Sequence, residues 1–275
     1  MLIVVTGGVV RLTGSGLGCP TWPKCTEESL VTVPEMGIHG IIEFANRLLT
    51  FVLLIIAVGA LVSLYKSELR VGSRWPAWSV LAGIFAQAVL GGITVKVKLN
   101  PWVVGAHFML SAVMIVLATV FVWRVYRPIQ EPVPYATFLS SLPLLLVGFV
   151  TVIIGVLVTG AGPHSGDANS ERNGLDLGVW QHYHSYPGYL MLTLNLVAYL
   201  AIVRAEGFKV RGGGLTKRIL GILLLVSLVQ IAIGVAQARL GVPPLLVGFH
   251  LLGATALISL LTFQWLAIRS KPLRG

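Results

Sequence analysis

Gln87-Ala-Val-Leu-Gly91-Gly-Ile-Thr-Val-Lys-Val-Lys-Leu-Asn-Pro101-Trp-Val-Val104-Gly105-Ala-His107 and Gln230-Ile-Ala-Ile-Gly234-Val-Ala-Gln-Ala-Arg-Leu-Gly-Val-Pro-Pro244-Leu-Leu-Val247-Gly248-Phe-His250 are two copies of one unit, offset by 143 residues. Gln, Gly, Pro, Val, Gly and His recur in register, and 20 residues separate Gln from His in both. Each copy reads as an apolar helix, a short Pro-containing turn, and a second apolar helix with His in its first turn. A duplicated membrane unit with a duplicated intramembrane His implies two related sites, one per half.

Composition extends this reading to the whole chain. Of 275 residues, 56% are hydrophobic and 11% charged, against about 25% charged in a soluble domain. Apolar runs recur near 38–64, 77–95, 103–123, 138–160, 179–203, 216–238 and 245–268, each long enough to span a bilayer. Segments that close their own backbone hydrogen bonds make an all-α membrane bundle, not a barrel. Met1 to Val10 is apolar but short, and Arg11 follows. It reads as the outer half of a transmembrane helix, leaving open an upstream start or a helix that does not span. It has neither a basic leader nor a small-residue cleavage site, so it is not read as a signal peptide.

The net charge of +10 does not point to nucleic acid, because of where the charge lies. Loops near 65–76, 124–137 and 204–218 and the tail 269–275 hold 13 of the 20 basic residues: Lys66, Arg70, Arg74, Arg124, Arg127, Arg204, Lys209, Arg211, Lys217, Arg218, Arg269, Lys271 and Arg274. The alternate loops carry Glu27, Glu28, Glu35, Asp167, Glu171 and Asp176. The positive-inside rule makes the basic loops cytoplasmic and the acidic ones external, with lipid headgroups accounting for the basic excess. His39, His107, His184 and His250 then lie at similar depth in the outer leaflet, and any cofactor they hold lies there too.

Cys19 and Cys25 are the only cysteines and share the first external loop. In an oxidising compartment they read as a structural disulfide or as a redox-active pair. Gly14-Ser-Gly16-Leu-Gly18 neither follows a strand nor opens a βαβ unit, so it is not a nucleotide loop; its glycines suit tight packing or close approach to a flat ligand. An intramembrane polar residue needs a partner or a function. Four histidines at one depth, two of them in a repeat, favour ligation of a metal or haem by at least one pair, neutral imidazole being an axial ligand to haem iron. His39, Glu43 and Asn46 fall on one helical stripe. Arg47 follows Glu43 at i+4, so Glu43 is either a buried proton donor or acceptor, or half of a structural ion pair. In the second half Gln181 and His184 repeat the spacing of Glu43 and Asn46. Carboxylate plus amide thus stands in one half where amide plus imidazole stands in the other. His164 and His182 read as loop or interface residues.

These residues carry a family resemblance over nearly the whole chain. Val5-Thr-Gly-Gly-Val-Val-Arg-Leu-Thr-Gly-Ser-Gly-Leu-Gly-Cys-Pro-Thr-Trp-Pro-Lys-Cys25, Ile42-Glu43-Phe-Ala-Asn46-Arg47, the two Gln-to-His repeats and Thr159-Gly-Ala-Gly-Pro-His-Ser-Gly-Asp167 resemble the haem A synthases, membrane enzymes that oxidise a methyl group of haem O to a formyl group. The resemblance implies an eight-helix bundle of two pseudo-symmetric four-helix halves, the first helix being short here. Residues 1–127 would form the N-terminal half with the substrate-haem site, and 128–275 the C-terminal half with a haem b cofactor. It implies His184 and His250 as ligands of the haem b iron, His107 as the substrate-haem ligand and Glu43 as the essential carboxylate. Where the family motif has Glu-x-x-His-Arg, this chain has Asn46. An amide is a weak iron ligand, so either His39 substitutes from two turns away or His107 acts alone; the second is favoured, since one open axial position suits oxygen activation. Arg11 and Arg47 face the external side, where haem propionates would sit. The matching loop of the second half lacks the cysteines some members carry, so any thiol–disulfide role rests on Cys19 and Cys25.

The expected activity is hydroxylation of the haem O methyl group, twice, with loss of water from the geminal diol. Expected partners are haem O, membrane lipid, the haem O synthase and a quinol or other electron donor. The rival reading is a dihaem b-type electron-transfer cytochrome that leaves its haem unmodified. A repeat-built transporter is disfavoured, because the halves share one membrane orientation and no broken-helix signature stands out.

Overall fold

The computed structural model describes residues 1–67, 71–126, 128, 132–207 and 214–268. The described residues form eight α-helices: α1 (Leu2–Leu12), α2 (Gly37–Lys66), α3 (Arg74–Lys96), α4 (Pro101–Tyr126), α5 (Tyr135–Ala161), α6 (Leu177–Gly207), α7 (Gly214–Arg239) and α8 (Pro244–Ala267). No strand occurs among the described residues. The seven helices from α2 to α8 are long and apolar enough to cross a membrane, and each contains or nearly coincides with a run expected from the sequence. The protein is thus a multi-pass membrane protein. Helix α1 has 11 residues, about 16 Å of rise against a hydrocarbon thickness of about 30 Å. Of the basic loop residues, Arg70, Arg127, Lys209, Arg211, Arg269, Lys271 and Arg274 lie outside the described residues, as does Arg127's side of the 127/128 boundary.

The sequence repeat is also a repeat of backbone conformation. Helix α3 ends in a turn where Lys98 and Leu99 both take positive φ, 51° and 59°. Helix α7 ends in the same turn, with Gly241 at 72° and Val242 at 60°. The hydrogen bonds match in register as well: Leu99 N donates to Thr94 O, and Val242 N to Gln237 O, both at 2.8 Å. Left-handed backbone is unfavourable for side chains with a Cβ, most of all for a β-branched one. Helix α4 then starts at Pro101 with Asn100 Oδ1 accepting from Trp102 N at 3.1 Å, and α8 starts at Pro244. Proline at the first helical position loses no intrahelical bond.

Helix α8 is the centre of the bundle and packs against α1, α4, α5 and α7. Leu144, Met191, Ala198, Ile202, Leu220, Leu223, Leu257 and Leu261 form the C-terminal core. Ala112, Ile115 and Ile258, with Val4 and Val152 against them, join α1, α4, α5 and α8. The Thr119 and Ser259 hydroxyls hydrogen-bond at 3.0 Å between α4 and α8. Within lipid this contact counts through close packing and interhelical hydrogen bonds, since both sides of the exchange are apolar. Phe51, Ile55, Leu146 and Leu225 point outward, as lipid-facing side chains should.

The loops after α1 and after α5 meet above the bundle. Gly16 N donates to Gly166 O at 2.7 Å, and His164 Nε2 pairs with the Val242 carbonyl at 2.8 Å. The second contact clamps the left-handed turn before α8.

Candidate functional site

The stripe expected on α2 is one face, and it meets the segment from Thr6 to Cys19. His39 Nδ1 pairs with Ser15 Oγ at 2.9 Å, and the residue is exposed. Glu43 is 5% exposed. Its Oε2 accepts from Cys19 N at 2.6 Å, and its Oε1 accepts from Arg47 Nε at 3.1 Å and from Nη2. Asn46 Oδ1 accepts from the Thr6 hydroxyl at 2.8 Å. The ion pair between Glu43 and Arg47 is therefore present. Arg47 does more than neutralise it. Its Nη2 donates to the carbonyls of Cys19 (2.9 Å) and Thr21 (3.1 Å), and its Nη1 to that of Lys24 (3.1 Å). One guanidinium thus stitches the loop closed by the Cys19–Cys25 disulfide to the buried carboxylate. Gly18 permits the fit: a Cβ there would collide with the backbone of His39 and Gly40. The glycine run therefore serves close packing of loop on helix.

Three histidines share one environment. His184 on α6 and His250 on α8 have ring centroids 6.1 Å apart, inclined at 71°. The Nδ1 atoms of His107, His184 and His250 are buried with no hydrogen-bond partner. The Thr151 carbonyl approaches His184 without reaching hydrogen-bonding geometry. Each ring turns its Cε1 edge to a glycine of a neighbouring helix: His107 to Gly91, His184 to Gly155 and His250 to Gly234, at 3.3, 2.9 and 3.6 Å from where a Cβ would stand. On α2 Asn46 faces Gly7 in the same way, its Nδ2 4.0 Å from the Cβ position. The bundle therefore has four like corners, three filled by imidazole and one by an amide.

The His184/His250 pair fits one metal ion. A metal–imidazole bond of about 2 Å and a further ~1 Å from ring nitrogen to ring centre, on both sides, give a separation of about 6 Å. Unpartnered buried imidazoles are costly unless something ligates them. Both observations suit the iron of a haem between α6 and α8. His107 has the same orphaned nitrogen, but among the described residues no second imidazole stands against its ring.

Arg11, at the end of α1, donates from Nη2 to Thr159 O at 2.5 Å, while its Nε is buried without an acceptor. Arg172 lies close enough to repel it and donates to Pro163 O at 2.6 Å. An orphaned donor beside a second cation suits an anionic group. Arg47, by contrast, has its donors committed to Glu43 and the loop carbonyls. His182 is exposed and pairs with the Gly178 carbonyl of its own helix.

The sequence profile of COX15-CtaA, described as cytochrome oxidase assembly protein, matches residues 1–262. The chain belongs to this family. Among related family proteins is the Heme A synthase of Rickettsia africae, 24% identical over 97% of this chain and 94% of its own length. The Heme A synthase of Bacillus pumilus is 31% identical over 58% of this chain. There the match spans about half of the relative's length, 54%. The Heme A synthase of Geobacillus kaustophilus is 29% identical over 42% of this chain. No solved structure matches the chain.

Several residues of this family member's site escaped sequence reasoning. Gly91 and Gly234 stand in the repeat, but nothing marked them as clearance for the rings. Gly7 and Gly155 had no such marker, and Arg172, the single Lys or Arg of the loop at 162–176, has no spacing that links it to Arg11.

Proposed function

We propose that this protein is a haem A synthase, an oxidoreductase that converts a methyl group of haem O to a formyl group by successive hydroxylations, the geminal diol losing water. Residues 1–127 form the half that receives substrate haem O, and residues 128–275 the half that holds haem b. His184 and His250 hold the haem b iron, and bound haem b supplies electrons one at a time. His107 ligates the substrate iron. The observation that carries this reading is the difference between the halves. An imidazole pair alone suits electron transfer, whereas a half with one unpartnered imidazole on α4 and a buried carboxylate on α2 suits chemistry on the porphyrin rim.

Both Glu43 oxygens face hydrogen-bond donors. In this arrangement the group stands as a fixed negative charge, suited to stabilising positive charge that develops at the substrate methyl carbon. Arg47 positions Glu43 and the disulfide loop, and Arg11 is the better placed of the two arginines for a propionate. The basic helix ends lie on the cytoplasmic side of the cell membrane and the haem sites toward the external side. The haem O synthase would deliver substrate; each hydroxylation would take one oxygen atom from dioxygen, the other leaving as water with two protons and two electrons from a quinol or other donor.

The test is expression in a host that makes haem O but no haem A, followed by haem extraction and chromatography. Haem A in the extract supports the enzyme. Haem b with unconverted haem O supports the rival, a dihaem electron carrier, for which the repeat and the His184/His250 pair argue.

A further inference from the structure

We propose that Asn46 is a hydrogen-bond donor beside the substrate iron, not a ligand to it. His107 would then be that iron's only protein ligand, and the remaining axial position would be open to an exogenous ligand that the Asn46 amide steadies. This rests on the N-terminal half being a haem site.

The four corners carry the argument. Gly91, Gly155 and Gly234 each face an imidazole edge, and Gly7 faces Asn46 Nδ2. Asn46 therefore occupies the place in its half that His184 occupies in the other. Its side chain is oriented by Thr6, whose hydroxyl donates to Oδ1 at 2.8 Å. The oxygen, the only atom of an amide able to ligate a metal, is thereby taken up by α1, while Nδ2 lies 4.0 Å from the Cβ position of Gly7 on the same helix with its N–H groups unspent. Nδ2 finds no protein acceptor among the described residues. An amide nitrogen shares its lone pair with the carbonyl and offers two N–H donors and no acceptor. His39 does not fill the gap, because its ring is exposed and is held to Ser15 of the loop after α1. Two imidazoles would saturate an iron held in the C-terminal half, which would pass electrons without binding small molecules. One imidazole and one N–H donor would leave an iron held in the other half able to bind them.

Carbon monoxide tests this on detergent-purified ferrous protein carrying two haems per chain. The wild type should bind one CO per chain. His107→Ala should abolish that binding and leave the low-spin spectrum of the His184/His250 haem. Asn46→Leu should keep one CO per chain but release it about 5-fold faster, the worth of one neutral hydrogen bond, with the C–O stretch moved to higher frequency. Asn46→His should supply the missing imidazole, turning the second haem low-spin and ending CO binding. The low-spin haem of the C-terminal half reports on folding in every variant. Two low-spin haems and no CO binding in the wild type would overturn the proposal, as would an Asn46→Leu protein with unchanged CO release and stretch. A CO-binding haem that survives His107→Ala would instead overturn the placement of the N-terminal site.

Discussion

The backbone N–H of Cys19 donates to Oε2 of Glu43 across 2.6 Å, so the disulfide loop and the buried carboxylate of α2 form one unit. Arg47 closes it from the other side, gripping Glu43 and the carbonyls of Cys19, Thr21 and Lys24. A change to any of the three parts should be felt by the others.

Replacing Glu43 by Gln keeps the size and one acceptor while removing the charge. Haem content should stay at the wild-type level while haem A formation falls about 100-fold, the lower end of what a positioned electrostatic stabiliser contributes. Chromatography of extracted haem measures both. Normal haem A yield from this variant would remove Glu43 from the chemistry.

Arg47→Leu leaves the Glu43 charge buried with the Cys19 N–H alone. Breaking a buried pair from one side costs about 3 kcal/mol, and the loop loses three carbonyl anchors. Reduction of the Cys19–Cys25 disulfide by dithiothreitol, followed by thiol alkylation, should be several-fold faster than in the wild type. Arg47→Lys keeps the charge but cannot fork across these acceptors, so its rate should fall between the two.

The glycine clearances differ enough to rank their variants. An added Cβ at Gly155 would stand 2.9 Å from His184 Cε1, closer than the ring tolerates, whereas at Gly234 the distance to His250 is an ordinary 3.6 Å. Gly155→Ala should weaken haem retention in the C-terminal half and perturb its low-spin spectrum. Gly234→Ala should leave both near wild type. Equal effects from the two variants would contradict the clearance argument.

The left-handed turns offer a stability test away from the buried histidines. Val242 sits at φ 60°, a conformation costing a β-branched residue about 1–2 kcal/mol. Val242→Gly should raise the thermal midpoint, the net gain being about 0.5–1 kcal/mol once the added freedom of the unfolded glycine is counted. Gly241→Ala, at φ 72°, should lower it. Circular dichroism at helical wavelengths in detergent reads both.

The helices, the repeat and the α2 stripe are legible in the sequence because each rests on a period that membrane burial enforces. The same holds for the Glu43–Arg47 pair, which i, i+4 spacing brings together. What stays hidden depends on partners with no side-chain signature. Arg47 holds backbone carbonyls of residues 23 to 28 positions away, and any residue type could have supplied them. Gly7 and Gly155 matter for what they leave empty, and emptiness next to a ring is a property of two helices at once. His39 looked equivalent to the other histidines because depth alone was readable; its pairing with Ser15 follows from where the loop after α1 returns.

The paired left-handed turns before α4 and α8 bear on how such a protein diversifies. They work as a common hinge-pin, delivering His107 and His250 with the same rotational phase whatever happens on the opposite helices. Positions 46 on α2 and 184 on α6 can therefore differ, an amide in one half and an imidazole in the other, without unseating either anchor.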